Sequence, residues 1–138
     1  PSAAITSDTI AQECDFLSIG TNDLIQYTLA ADRDNQSIEK YYLPHHPSII
    51  KLIKMTVQNA HEKGIKVAIC GEMASQPEFV PLLLGLGIDE LSVSPGLLLK
   101  IKDIILHCDM RKNLKLAENI LQQKTHKDIE KILKEKKG

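Results

Sequence analysis

Asp15-Phe16-Leu17-Ser18-Ile19-Gly20-Thr21-Asn22-Asp23 is the stretch that decides the fold. Phe16 to Ile19 has the apolar, β-branched and aromatic make-up of a short buried strand. Gly20 follows, and because it lacks a Cβ that would forbid positive φ, the chain is expected to turn sharply there. Thr21, Asn22 and Asp23 then lead into Leu24-Ile25-Gln26-Tyr27-Thr28-Leu29-Ala30, a helical pattern expected over about 23–31. Two roles suit the polar trio. One is capping of the helix by a side-chain oxygen. The other is an anion or metal site, because the free N–H groups and the positive dipole end of the first turn face the loop. Asp23 adds the kind of hard oxygen that Mg²⁺ prefers.

The pattern of strand, small polar turn and helix recurs twice. Val67-Ala68-Ile69 runs into Cys70-Gly71-Glu72, and Leu91-Ser92-Val93 into Ser94-Pro95-Gly96. A helix over 3–13 is expected before the first strand. Pro47 and Ser48 open another, with Ile49 or Ile50, Ile53, Val57 and Ala60 as its apolar stripe. Gly64 closes it in a left-handed conformation. Pro77 starts a helical stretch that Pro81 divides into two short pieces, stopped by Gly85 and Gly87. Beyond the third strand, Leu97 or Leu98, Ile101 and Ile104 or Ile105 share one helical face. Two amphipathic helices finish the chain, one presenting Leu114, Ala117 and Leu121, the other Ile129, Ile132 and Leu133. Lys131, Lys134, Lys136 and Lys137 coat a solvated helix.

Three alternations of strand and helix imply an α/β fold of parallel strands joined by right-handed crossovers. Its strands are short and apolar enough for a sheet covered on both faces. In such a fold every βα turn lies on one rim, where ligands bind. Asn22 with Asp23, Cys70 with Glu72, and Ser94 are expected there together. With neighbouring strands about 4.8 Å apart, Asp23 and Cys70 come within reach of one small ligand.

Composition bounds the function. The chain has 138 residues, 43% of them hydrophobic and 25% charged, as expected for one globular domain. A net charge of −1 gives no basis for a nucleic-acid or membrane partner. No apolar run reaches membrane-spanning length. The three cysteines, Cys14, Cys70 and Cys108, stand at wide, unrelated spacings that suit neither a disulfide framework nor a zinc site, so a reducing, cytoplasmic setting is expected.

Among candidate side chains, Cys70 is either a buried structural thiol or, on the ligand rim, a nucleophile or proton donor. Glu72 suits tuning of that thiol, metal binding or a helix cap. Arg33 lies in an irregular stretch over 32–47, a length that suggests function. It suits a salt bridge with Asp32 or Asp34, or a clamp on a phosphate or carboxylate. His45 and His46 make a poor metal pair, since adjacent residues of an extended segment point apart. His61, His107 and His126 fall on helices and are expected to face solvent.

Ser18-Ile19-Gly20-Thr21-Asn22-Asp23-Leu24-Ile25-Gln26-Tyr27, with Asp32-Arg33 after it, closely resembles the phosphoenolpyruvate–protein phosphotransferases, Enzyme I of the bacterial sugar phosphotransferase system. Cys70-Gly71-Glu72-Met73-Ala74 and Leu82-Leu83-Leu84-Gly85-Leu86-Gly87-Ile88-Asp89-Glu90-Leu91-Ser92 resemble the same family, and the likeness covers nearly the whole chain. It implies a C-terminal domain built as an eight-stranded, TIM-type βα barrel that binds phosphoenolpyruvate and Mg²⁺ and forms a homodimer. By position, the resemblance makes Asp23 a Mg²⁺ ligand and brings Asn22 and Asp23 to the phosphate. It makes Arg33 a clamp on the same anion, and Cys70 the acid that protonates the enolate to give pyruvate. Charge neutralisation on the phosphoryl oxygens suits a metal and an arginine.

The resemblance also implies what lies elsewhere. Residues 1–110 would be the last three βα units of the barrel and 111–138 its C-terminal helices. A second Mg²⁺ carboxylate would lie just before Pro1, with further arginines upstream. The phosphorylated histidine, which passes the phosphoryl group to a histidine phosphocarrier protein in sugar uptake, would be on a separate N-terminal domain. Such a fragment is expected to be inactive alone. With two open edges it is expected to order only by self-association or altered packing. Pyruvate phosphate dikinases and phosphoenolpyruvate synthases share the Gly-Thr-Asn-Asp and Cys-Gly-Glu elements and give a second reading. A non-catalytic binding or oligomerisation module is a third.

Overall fold

Three parallel strands form the centre of the computed structural model, which describes residues 1–32 and 35–135. β1 (Phe16–Gly20), β2 (Lys66–Cys70) and β3 (Glu90–Leu91) lie in the order β1-β2-β3. Phe16 stands opposite Lys66 and Gly20 opposite Cys70, while Ala68 pairs with Glu90 and Ile69 with Leu91. The expected alternation of parallel strands and helices is therefore present. β3 is shorter than its apolar run, although the Ser92 N–H still donates to the Ile69 carbonyl at 2.9 Å.

The helices differ from the sequence reading where side chains interfere with backbone. Instead of one helix over 3–13 there are two short ones, α1 (Ser2–Ile5) and α2 (Ser7–Ile10). They part at Thr6, where the Thr6 and Ser7 hydroxyls donate to the Ser2 and Ala4 carbonyls. Such bonds compete with the helix ladder. α3 (Thr21–Leu29) starts two residues earlier than expected and ends at Ala30, a left-handed residue with φ 51. A single 3-10 turn, Glu39–Tyr41, interrupts the following stretch.

α4 (Pro47–Glu62) opens at Pro47 as expected, with His46 Nδ1 accepting from the Ser48 N–H. Ile49, Ile50, Ile53, Val57 and Ala60 are all buried along it, and Gly64 is left-handed beyond its end. Two short helices, α5 (Glu72–Ser75) and α6 (Val80–Leu86), occupy the next stretch, but Pro81 does not divide them: α5 ends before Pro77, and Pro81 lies in the first turn of α6, where its missing N–H costs no helical bond. Gly87, at φ 99, ends α6, whereas Gly85 lies inside it. A Cβ on Gly85 would stand 2.1 Å from the Asn113 carbonyl oxygen of α8 (Met110–Leu121), so glycine there permits backbone contact between the two helices.

That contact also sets the face of α8. Asn113, Leu116, Ala117 and Ile120 are buried, and Leu114, assigned inward from the sequence, is about half exposed. α7 (Leu98–His107) buries Ile101 alone and leaves Leu98, Leu99 and Leu106 exposed. α9 (His126–Glu135) buries Ile129 and Leu133 as expected. Leu17, Ile19, Val67 and Ile69 of the sheet meet α4, α6, α8 and α9 in one apolar cluster. Among the described residues no helix is long and apolar enough to cross a membrane.

Candidate functional site

The rim is made where β1 and β2 stop together. Gly20 stands opposite Cys70, so the turns into α3 and α5 leave the sheet side by side. No side chain caps α3, whose N-cap is Gly20 itself. The polar trio is engaged elsewhere. Thr21 is fully buried, and its hydroxyl donates to the Cys70 carbonyl at 2.8 Å. Asn22 Oδ1 accepts from the Glu72 N–H at 3.1 Å, and the Asn22 carbonyl accepts from the Tyr42 hydroxyl at 3.4 Å. Tyr42 belongs to no motif in the sequence, and its place in the long stretch over 32–47 is the signal for it there.

The sharp turn expected at Gly20 is made at Gly71. Gly20 has φ −80 and ψ 96, extended backbone open to any residue, with nothing near its missing Cβ. Gly71 has φ 94, and a Cβ on it would lie 2.4 Å from Thr21 Oγ1 and 2.9 Å from Asn22 Oδ1. The Cys-Gly-Glu turn is thus moulded onto the Thr-Asn pair, and glycine is required on grounds of both φ and space. Cys70 is half-buried, and its thiol lies 3.6 Å from the Ile19 carbonyl, to which it donates.

Asp23, at the same turn, lines a cavity of about 260 Å³ with Leu17, Ser18, Gly20 and residues of α1 and α2, and Cys70 is not among the lining residues. Among the described residues its carboxylate has no hydrogen-bond or ion-pair partner. Ser94 lies beyond β3 on the same rim, exposed. Arg33 lies outside the described residues, as do Asp34, Lys136 and Lys137.

Among the described residues no three His, Cys, Asp or Glu side chains are grouped to hold a metal. A free carboxylate beside a cavity does fit the way Mg²⁺ binds through one or two carboxylates, with substrate phosphate and water completing its shell.

The histidines correct the sequence reading. His45 and His46 do not diverge: both approach His126, with ring centroids at 6.1 and 6.5 Å. His126 therefore does not simply face solvent. Burial pushes His45 below its ordinary value, His126, His46 and Lys134 push the same way, and Glu130 opposes them. His46 is lowered by burial and then by His126. His45 Nε2 is buried without a hydrogen-bond partner among the described residues. Below the sheet, His61 bonds Asp89 at 2.8 Å, and Asp89 also accepts from the Val67 N–H at 2.8 Å. Burial works to raise the Asp89 carboxyl, but these bonds outweigh it and hold the group below its usual range.

Fold and rim define a class: α/β proteins in which a Gly-Thr-Asn-Asp turn and a Cys-Gly-Glu turn meet at the ends of neighbouring parallel strands. Within it, the chain belongs to the family of PEP-utilising enzymes, PEP-binding domain, which residues 1–110 match. It is 47% identical over 129 residues to a phosphoenolpyruvate-protein phosphotransferase of Listeria monocytogenes, covering 94% of this chain and 23% of that protein. To the protein of the same name from Enterococcus faecalis it is 46% identical over 123 residues, covering 89% and 21%. With that of Bacillus subtilis it shares 42% over 135 residues, covering 98% and 24%. The chain thus spans about a quarter of the length of the curated relatives it matches.

Proposed function

We propose that this chain is part of a cytoplasmic, phosphoenolpyruvate-dependent phosphotransferase. Its three βα units are the last three of an eight-stranded barrel that takes the phosphoryl group from phosphoenolpyruvate. The observation that carries the reading is the parallel pairing of Gly20 with Cys70, which brings the Thr-Asn-Asp and Cys-Gly-Glu turns to one rim. The family match and the relatives' names support it.

In this reading Asp23 holds Mg²⁺, with the N–H groups of the first turn of α3 directed at the phosphate. When bound, Mg²⁺ neutralises charge on the phosphoryl oxygens. Arg33 clamps the same anion. The bond between phosphorus and the enol oxygen breaks as phosphorus bonds to a histidine nitrogen in another part of the protein. Cys70 gives its proton to the terminal carbon of the departing enolate, yielding pyruvate, and the thiolate is reprotonated from water. The histidine then serves a phosphocarrier protein, and the whole protein is a homodimer.

The test uses the longer protein that would carry this region. Cys70→Ala should reduce pyruvate formation from phosphoenolpyruvate by at least about a hundredfold, as loss of a general acid does, while Mg²⁺ affinity stays within about twofold. Retained turnover would remove Cys70 from the mechanism.

A further inference from the structure

We propose that Thr21 is a positioning residue that sets the Cys70 thiol, acting through the Cys70 carbonyl. The inference rests on the reading of Cys70 as the proton donor. It concerns a residue for which that reading has no role.

Five observations converge on it. Thr21 begins a helix, yet its hydroxyl caps nothing in α3. It crosses instead to the end of the adjacent strand and donates to the Cys70 carbonyl at 2.8 Å. The residue is fully buried, so water does not compete for that bond. Next to it, Asn22 Oδ1 accepts from the Glu72 N–H, bonding the far side of the same turn. Between the two bonds lies Gly71, whose missing Cβ would stand 2.4 Å from Thr21 Oγ1.

These contacts hold the peptide planes on both sides of Gly71 against α3. A thiol has one rotatable bond between backbone and sulfur, so fixing the Cys70 backbone confines Sγ to a few rotamer positions. The rotamer present directs Sγ at the Ile19 carbonyl, 3.6 Å away, on the strand that leads into the anion-facing turn. Proton delivery to carbon is sensitive to misplacement of about 1 Å. Only Oδ1 of the Asn22 side chain is committed to the same brace, so its Nδ2–H donors and its backbone N–H are what it offers a ligand, and Tyr42 steadies its carbonyl.

Two variants separate this role from mere stability. Thr21→Val keeps the shape and removes the hydroxyl, and Thr21→Ser keeps the hydroxyl. The first readout is iodoacetamide alkylation of this chain, followed cysteine by cysteine by mass spectrometry, with Cys14 and Cys108 as internal references. Thr21→Val should alkylate at Cys70 at least about fivefold faster, as a freed rotamer would allow, with Cys14 and Cys108 unchanged and Thr21→Ser matching the parent. An unchanged Cys70 rate in Thr21→Val, Thr21→Ser behaving like Thr21→Val, or all three cysteines accelerating together would overturn the proposal. The second readout is pyruvate formation by the longer protein. There Thr21→Val should lower kcat about tenfold or more with KM within about twofold, and Thr21→Ser should restore it. A normal kcat would also overturn it. Full turnover by Cys70→Ala would instead sink the catalytic reading of Cys70, and the alkylation result would still decide whether Thr21 sets the thiol.

Discussion

The two faces of the sheet are built on opposite terms. On one, Leu17, Ile19, Val67 and Ile69 pack into the helical layer, and Val67 and Ile69 are wholly buried. On the other, Phe16 is 63% exposed, with Lys66 and Glu90 exposed beside it and Ala68 and Cys70 only half-buried. Parallel sheets are ordinarily covered on both faces. The packed face holds this chain together, and the open face carries the thiol and the turns around it. In the proposed barrel the open face would look onto the strands of a longer protein. In the proposed reading, stability and chemistry are thus divided between residues that alternate along the same two strands.

The largest break in that division would come from the packed face. Ile69→Ala, in the middle strand with no solvent exposure, should lower unfolding stability by about 4 kcal/mol in urea titrations. Phe16→Ser on the open face should change the stability of this chain by less than about 0.5 kcal/mol. In a longer protein whose strands cover that face, the same change should lower stability by about 2 kcal/mol. Equal effects in the two contexts would mean that nothing covers Phe16.

The smallest effect concerns the edge of the packed layer, where imidazoles join α9 to the loop before α4. His45 and His46 lie below their ordinary value of 6.5, so the folded state takes up fewer protons than the unfolded one. Their contribution is complete above that value and is lost as pH falls through it towards the depressed pKa values. Stability should therefore fall as the medium turns acid, with amide exchange in α9 rising first. His45→Gln should make the fall shallower by a fraction of a proton. An identical pH profile for the variant would remove His45 from this account.

Strand order and direction were legible because each apolar run stops at a small residue and a helical period follows. What could not be read were bonds between distant residues. The Thr21 hydroxyl looks like a helix cap until its partner, 49 positions away, is known. Gly20 and Gly71 look alike in the chain, and only the neighbouring turn shows which of them needs to be glycine. Periodicity favoured Leu114 over Asn113 as the inner residue of α8 because leucine is apolar. The close approach at Gly85 rotates the helix the other way. His126 approaches His45 and His46 only because α9 folds back over the loop that carries them.

The seating of α8 on Gly85 also bears on where the chain can be trimmed. The family match stops at residue 110, yet Leu116, Ala117, Ile120, Ile129 and Leu133 beyond it share one apolar cluster with Val67 and Ile69. Scissors applied at that seemingly natural border would leave α6 with a bare, greasy flank and a glycine notch facing water. Anyone shortening this protein for expression should keep its tail.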